Sequence, residues 1–267
     1  MDQVKWKSWF DENRQGWNAR TPIHLASPLY DVAGWLNGKS SLNPLELLEL
    51  GSVAGKTMLH LQCHFGLDSL SWVRQGATVT GVDFSEVAVK AARVLAAKAG
   101  LKARFVCCNV YETREKIARK FDIVFTSYGS VGWLPDLNPW AAVIAASLKR
   151  KGVFYMADFH PVLWMMNDEM TQLTYPYHNS GVIETIHDFS YADKETPLKL
   201  REFGWNHSLS AIITALLDHG LKLEFLHEFP YSPYPCFNNL VEGEDGNYRI
   251  LGLENILPMV YSIRARK

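Results

Sequence analysis

The stretch Lys56–Asp83, KTMLHLQCHFGLDSLSWVRQGATVTGVD, constrains the fold more than any other part of the chain. Met58, Leu59 and Leu61 form an apolar run of the length expected for a buried strand. Cys63 to Gly66 then reads as a tight turn, with Gly66 free to take a positive φ. Leu67, Leu70 and Val73 recur at helical spacing, and Gly76 stops that helix. Ala77 to Val82 is a second strand that ends in Asp83. A right-handed crossover makes the two strands parallel neighbours, so the turn and Asp83 share the carboxyl edge of a sheet. That edge is the usual ligand crevice of open α/β sheets. There a helix N-terminus can face an anionic group, and Asp83 can accept hydrogen bonds from a ribose diol.

Dinucleotides and S-adenosylmethionine are both held by units of this kind. A pyrophosphate calls for G-x-G-x-x-G, because backbone must approach it closely. The turn Gln62-Cys63-His64-Phe65-Gly66 has a single glycine, which argues against a dinucleotide. The stretch resembles motif I of class I S-adenosylmethionine-dependent methyltransferases, commonly written LDLGCGTG. His60 stands at the family's acidic position, Gln62 and His64 replace two glycines, and Cys63 and Gly66 match. GVDFS, Gly81 to Ser85, is similar to the second motif. The string from His60 to Ser85 resembles a bacterial small-molecule subgroup with the same altered motif I. The resemblance spans residues 50–165 well and the rest in outline.

The resemblance implies a set of cofactor contacts. They are Gln62, Cys63, His64 and Gly66 in the turn, then Asp83, Phe84 and Ser85, with Asp83 on the ribose and Phe84 flanking adenine. Asn109 and Val110, after a third strand Arg104–Cys108, take the place of an acidic residue and its neighbour at the adenine. An amide oxygen still accepts from an exocyclic amine. Ser127 and Tyr128 end a fourth strand, FDIVFTS, beside the transferable methyl. In the family an N-terminal segment folds over the cofactor, which makes Tyr30 a cofactor candidate and His24 a substrate candidate. Trp133 is a candidate wall of the methyl site.

Composition narrows the class further. With 267 residues, 48% apolar and 21% charged, the chain fits one globular domain of generous size, or one domain with a large insertion. A formal net charge of −1 gives no basic excess for nucleic acid or anionic lipid. No apolar run approaches the roughly 20 residues of a bilayer span, and the opening MDQVKWKSWFDENRQGW is too polar for a secretory signal. A cytoplasmic location is the expectation. Cysteines 63, 107, 108 and 236 fit neither a zinc pattern nor a disulfide framework, and no metal is expected.

In chain order, Trp6, Trp9, Phe10, Asn13 and Trp17 suggest an amphipathic helix, followed by a turn-rich segment with Pro22, Pro28 and Gly34. Asn43-Pro44 opens a short helix through Leu50. Ser85 caps a helix that Gly100 closes, and Ser208 caps another that Gly220 stops. Lys151-Gly152 turns into a fifth strand, VFYMADFHP; Leu221–Phe229 is a sixth and Leu257–Arg264 the last. Tyr231–Tyr248 is a loop, so the final two strands lack a crossover helix and are expected antiparallel. The predicted fold is therefore α/β and Rossmann-like, with seven mainly parallel strands, the last one antiparallel, and a small β-rich insertion.

Three segments are expected: 1–50 as an N-terminal helical lid, 51–267 as the methyltransferase-like domain, and 162–204 within it as an acceptor cap. In the cap, Ile183, Thr185, His187, Phe189 and Tyr191 alternate onto one strand face, with Gln172–Tyr177 and Lys199–Phe203 as candidate neighbours. Tyr175, Tyr177, His178 and Trp205 join His24 and Trp133 as substrate candidates. The same aromatics would also serve a dimer surface, and a monomer or homodimer is expected. The reaction implied is direct methyl transfer to a small-molecule acceptor, leaving S-adenosylhomocysteine. Aligning the reacting atoms is the main requirement, with His160, His187 and His207 as candidate bases. A nicotinamide-dependent oxidoreductase, or a non-catalytic relative that binds the nucleoside, stays open as an alternative.

Overall fold

The computed structural model describes residues 3–267, with side chains from Trp6 onward. Helices α1 (Gln3–Ala26), α2 (Val32–Leu36) and α3 (Pro44–Leu50) precede strand β1 (Thr57–Leu61). Then follow α4 (Leu67–Arg74), β2 (Thr78–Asp83), α5 (Glu86–Lys98), β3 (Arg104–Cys107), α6 (Thr113–Lys116) and β4 (Phe121–Ser127). After α7 (Leu137–Ser147) and β5 (Leu148–Phe159) come the paired strands β6 (Ile183–His187) and β7 (Leu200–Gly204). The chain continues through α8 (Leu209–Asp218), β8 (Lys222–Phe229), a hairpin of β9 (Leu240–Glu242) and β10 (Tyr248–Ile250), and β11 (Val260–Arg266).

Seven strands form the central sheet in the order β3-β2-β1-β4-β5-β11-β8. β1 pairs in parallel with β2 and β4, and β4 with β5, while β11 runs antiparallel to both β5 and β8. The expected α/β architecture with its one antiparallel strand is thus the observed one. Strand order reverses at β1, so the turn after β1 sits at the switch point where open α/β sheets bind ligands. The interior strands are buried on both faces: Met58, Leu59, Leu61, Val124, Phe125, Phe154 and Tyr155 are all inaccessible. That double burial explains why they read as continuous apolar runs rather than as alternating ones. One face is covered by α7 and α8 through Trp140, Ile144, Ile212 and Leu216. A separate cluster beside β2 and β3 is enclosed by α4 and α5, with Phe65, Leu70, Val89, Ala92 and Phe105.

Four boundaries depart from the sequence reading. α1 runs on through Pro22 to Ala26, where a turn-rich stretch was expected. An internal proline costs a helix about 3 kcal/mol, but Arg20, Thr21 and His24 around it are buried, and tertiary packing holds the last turn. β5 begins at Leu148 rather than after Lys151-Gly152; the expected turn survives as a register shift, with Lys151 at φ 65°. The loop 231–248 contains β9, which pairs with β10 around a Gly243–Gly246 turn. β11 starts at Val260, because Pro258 has no N–H to give the sheet.

In the insertion, β6 and β7 pair antiparallel over Ile183–Gly204 to His187–Leu200. The other expected neighbour, Gln172–Tyr177, forms no strand beyond a single Leu173–Met166 bridge. Pro176 interrupts it, and the Asn206 amide draws its carbonyl away at 2.7 Å.

Candidate active site

The turn after β1 is built by three residues in the left-handed region: Gln62 at φ 54°, His64 at 49° and Gly66 at 78°. A Cβ at Gly66 would stand 2.8 Å from the Phe105 ring, so glycine is required there by space as well as by φ. The other two are held by bonds. Cys63 N–H donates to the Val82 carbonyl at 2.9 Å, and Gln62 Nε2 donates to the Ser130 carbonyl at 2.8 Å. His64 N–H donates to Asp83 Oδ2 at 2.7 Å, and Ser85 N–H donates to Asp83 Oδ1 at 2.9 Å. Burial pushes the Asp83 carboxyl up to about 6, against the pull of these backbone donors.

Beside Asp83 lies a cavity of about 110 Å³, bordered by Phe84, Asn109 and Val110 on one side and by Trp17, Tyr30 and Trp133 on the other. Asn109 Oδ1 accepts from Tyr111 N–H at 3.0 Å and keeps a second lone pair. Gln62, His64 and Tyr128 also line it. The same residues Tyr30, Gln62, His64, Tyr128 and Trp133 border a second, larger cavity of about 1000 Å³. Cys63, Gly66, Ser127, Tyr175, His187 and Trp205 face that larger space. So do Ile183, Thr185 and Phe189, which share with His187 the alternating face read from the sequence.

The remaining candidates lie elsewhere. Ser85 is wholly buried as the cap of α5, with its hydroxyl donating to Asn18 Oδ1 at 2.7 Å. His24 is wholly buried behind the wall, between His64 at 2.9 Å and Ser190 at 2.7 Å. Tyr177 Oη accepts from Leu209 N–H at 3.3 Å, and His178 stacks edge-on against Tyr177 in an exposed position. His160 is buried with its Nε2 on Glu228 at 2.8 Å, and His207 donates from Nε2 to the Leu134 carbonyl at 2.7 Å. Neither histidine lines either of these two cavities, and each is spent on fixing a strand or helix end. Among the three candidate bases, only His187 reaches the larger cavity.

Several polar groups of the site carry no local sequence signal. Arg20, on α1, makes a buried ion pair with Glu202 on β7, and Glu202 Oε2 lies 3.3 Å from His187 Nε2. Desolvation lowers Arg20 to about 10 and draws His187 below its ordinary value. Asp158, at the end of β5, caps the turn after β4 by accepting from Gly129 N–H, from Ser130 N–H at 3.1 Å and from the Ser130 hydroxyl at 2.9 Å. Glu46 is wholly buried, accepts from Asn43 N–H at 2.8 Å and from the Tyr128 hydroxyl at 3.3 Å, and is pushed up to about 8 by desolvation. Tyr191 meets Tyr30 hydroxyl to hydroxyl at 2.5 Å, closing the insertion onto the N-terminal segment. Apart from the local Asn43–Glu46 cap, these partners lie between 15 and 182 residues apart, which hid them from any windowed reading.

Residues 58–152 match the family described as Methyltransferase domain. A ubiquinone biosynthesis O-methyltransferase of Bordetella avium is 32% identical over 136 residues, covering 49% of this chain and 56% of that protein. Its counterpart from Salmonella arizonae is 29% identical over 143 residues, covering 48% and 59%. The chain therefore spans little more than half the length of these curated relatives. Among solved structures, an S-adenosylmethionine dependent methyltransferase from Mesorhizobium loti superposes with a TM-score of 0.57 at 18% identity, covering 87% of this chain and 100% of that one. One from Listeria monocytogenes, described as putative, gives 0.55 at 19%, covering 83% and 97%. Residues 58–152 thus carry the match to the methyltransferase domain family, and the strand order with its switch-point turn is the Rossmann-like fold of these solved S-adenosylmethionine dependent methyltransferases.

Proposed function

We propose that the chain transfers a methyl group from S-adenosylmethionine to a small-molecule acceptor by direct displacement and without a metal. The observation that carries this reading is Asp83 at the rim of a small cavity that shares a wall with a much larger aromatic one. The fit is supported by unspent hydrogen-bonding capacity at the turn. Gln62 Oε1, His64 Nδ1 and His60 Nε2 are buried there without partners among the described residues. Buried polar groups are nearly always bonded, so three such atoms at one turn call for a polar ligand.

When bound, the cofactor supplies a methyl group made electrophilic by its sulfonium. Asp83 would accept hydrogen bonds from the ribose hydroxyls, Phe84 would flank the adenine, and the free lone pair of Asn109 Oδ1 would accept from its amine. Trp17, Tyr30, Tyr128 and Trp133, which border both cavities, keep water from the junction between them. His187 receives the acceptor's proton. Its Nε2 is engaged by Glu202 at 3.3 Å and by Thr185 Oγ1 at 3.1 Å, which leaves Nδ1 for that proton. The names of the curated relatives support a hydroxyl as the nucleophile, and aromatic walls such as Trp205, Phe189 and Tyr175 suit a planar acceptor. Among the described residues no three His, Cys, Asp or Glu side chains converge as metal ligands.

Calorimetry with S-adenosylhomocysteine and with NAD tests the reading. Binding of the first in the micromolar range, and none of the second, is the expected result; the reverse would overturn it.

A further inference from the structure

Three side chains from distant parts of the sequence meet behind the turn. Ser190 belongs to the insertion, His24 to α1, and His64 to the altered turn itself. We infer that they form a one-way chain of hydrogen bonds that holds the Nδ1–H of His64 toward the carboxylate at the methionine end of the cofactor. The inference rests on the methyl-transfer reading for the identity of that ligand, and the direction of the chain is tested separately from it.

The direction starts at Ser190. Its Oγ accepts from Ala192 N–H at 3.3 Å and lies 2.7 Å from His24 Nε2, the one acceptor that the described residues offer its proton, so in the inferred chain the hydroxyl donates to His24. His24 is buried and stays neutral, since desolvation and the charge of Arg20 lower it to about 3. With Nε2 accepting, its single proton is on Nδ1, which lies 2.9 Å from His64 Nε2. His64 is held neutral by the same causes, together with His24 itself. With its Nε2 accepting, the His64 proton is on Nδ1. That atom is buried and has no partner among the described residues, although the ring borders both cavities.

An N–H fixed in that position needs an acceptor. Asp83 matches the ribose hydroxyls, which donate, and Asn109 matches the adenine amine, which also donates. At the amino-acid end of the cofactor the acceptor-only group is the carboxylate. Ser190 and His24 touch no ligand in this arrangement and act as positioning residues for His64.

The test uses the full chain labelled with 15N at histidine. Long-range proton–nitrogen correlation at neutral pH should show His64 in the Nδ1–H form in the free protein. Calorimetry then compares S-adenosylhomocysteine with 5′-methylthioadenosine, which keeps the nucleoside and the sulfur but lacks the amino-acid end. His64→Gly removes the donor without straining a backbone at φ 49°, and should weaken the homocysteine compound about tenfold while leaving the truncated one within about twofold. His64→Asn, which tolerates that φ and offers an amide N–H, should recover part of the loss. Ser190→Ala should mix the two His64 tautomers and weaken only the homocysteine compound. An Nε2–H form of His64 in the free protein, parallel loss of both ligands in His64→Gly, or an unchanged His64 tautomer in Ser190→Ala would each overturn the inference. If the unmodified protein binds neither nucleoside, the methyl-transfer reading fails and takes the ligand assignment with it, while the spectrum still judges the chain.

Discussion

Replacing Asp83 by alanine separates a ligand-binding carboxylate from one that merely braces a turn. The side chain has two duties in the structure: it accepts from His64 N–H and Ser85 N–H, and it faces the smaller cavity. Loss of a charge-assisted hydrogen bond to the ribose is worth about 1.5–3 kcal/mol, or roughly 10- to 150-fold in Kd. The two backbone donors left behind cost stability as well, at ~2–4 °C of Tm per kcal/mol for a chain approaching this size. Calorimetry with S-adenosylhomocysteine, alongside a thermal melt, resolves the two duties. The pH dependence adds a second signature. The native carboxyl keeps its proton up to about 6, against an ordinary value of 3.8, so between those values the native state binds more protons than the unfolded chain. Stability from this group therefore falls as pH rises through that window. Affinity moves the other way, because the ribose hydroxyls need an ionised acceptor: it should drop by up to about tenfold per pH unit below 6. Asp83→Asn should abolish that slope. An alanine variant that melts earlier but binds within about threefold of the unmodified protein would refute the ribose assignment.

Other consequences follow from the same geometry. His187→Gln should lower methyl transfer to a hydroxylated acceptor by about 100-fold or more, with cofactor affinity unchanged by calorimetry. Glu202→Leu leaves Arg20 buried and unpaired and should cost ~3–5 kcal/mol in a denaturant melt, whereas Arg20→Met with Glu202→Leu should recover most of it. Glu46→Gln keeps the acceptor for Asn43 N–H and removes a carboxyl whose native value of about 8 lies far above its ordinary 4.5. Native protein holds that proton longer, so stability falls between those two pH values and the glutamine variant should lose this slope and melt higher at pH 8. Turnover should survive EDTA; activity lost to the chelator and restored by a single divalent ion would contradict the proposed metal independence.

The sheet was readable because its strands are local facts: each is an apolar run bounded by glycine or a helix cap, as with Phe121–Ser127 or Ser85 before Glu86. The antiparallel pairing of β11 followed from a missing crossover helix, which is also local. What could not be read is what depends on pairs distant in sequence. Nothing in a window around Pro22 tells that burial of His24 will carry α1 past it. Nothing near Glu202 announces Arg20, 182 positions away. The histidine candidates show the same limit: His160, His187 and His207 look alike in sequence, and only their partners separate the one beside the cavity from the two that fasten structure. The alternation from Ile183 to Phe189 was legible, since period two is a strand signal, whereas its true partner among two candidates was chosen by Pro176.

The place of β11 between β5 and β8 has a consequence for how the chain is made. Synthesis delivers β5 and β8 first, and neither can pair with the other until β11 arrives to fill the gap. During that interval β5 presents an unpaired edge that is almost entirely apolar from Val153 to Phe159. Such an edge is a ready template for strands of other chains. A nascent chain stalled or cleaved before Val260 is therefore a sticky species rather than a slightly shortened one. Recombinant yield should depend on the speed with which residues 260–266 follow β8, and a rare-codon cluster just upstream of them should send the product into inclusion bodies.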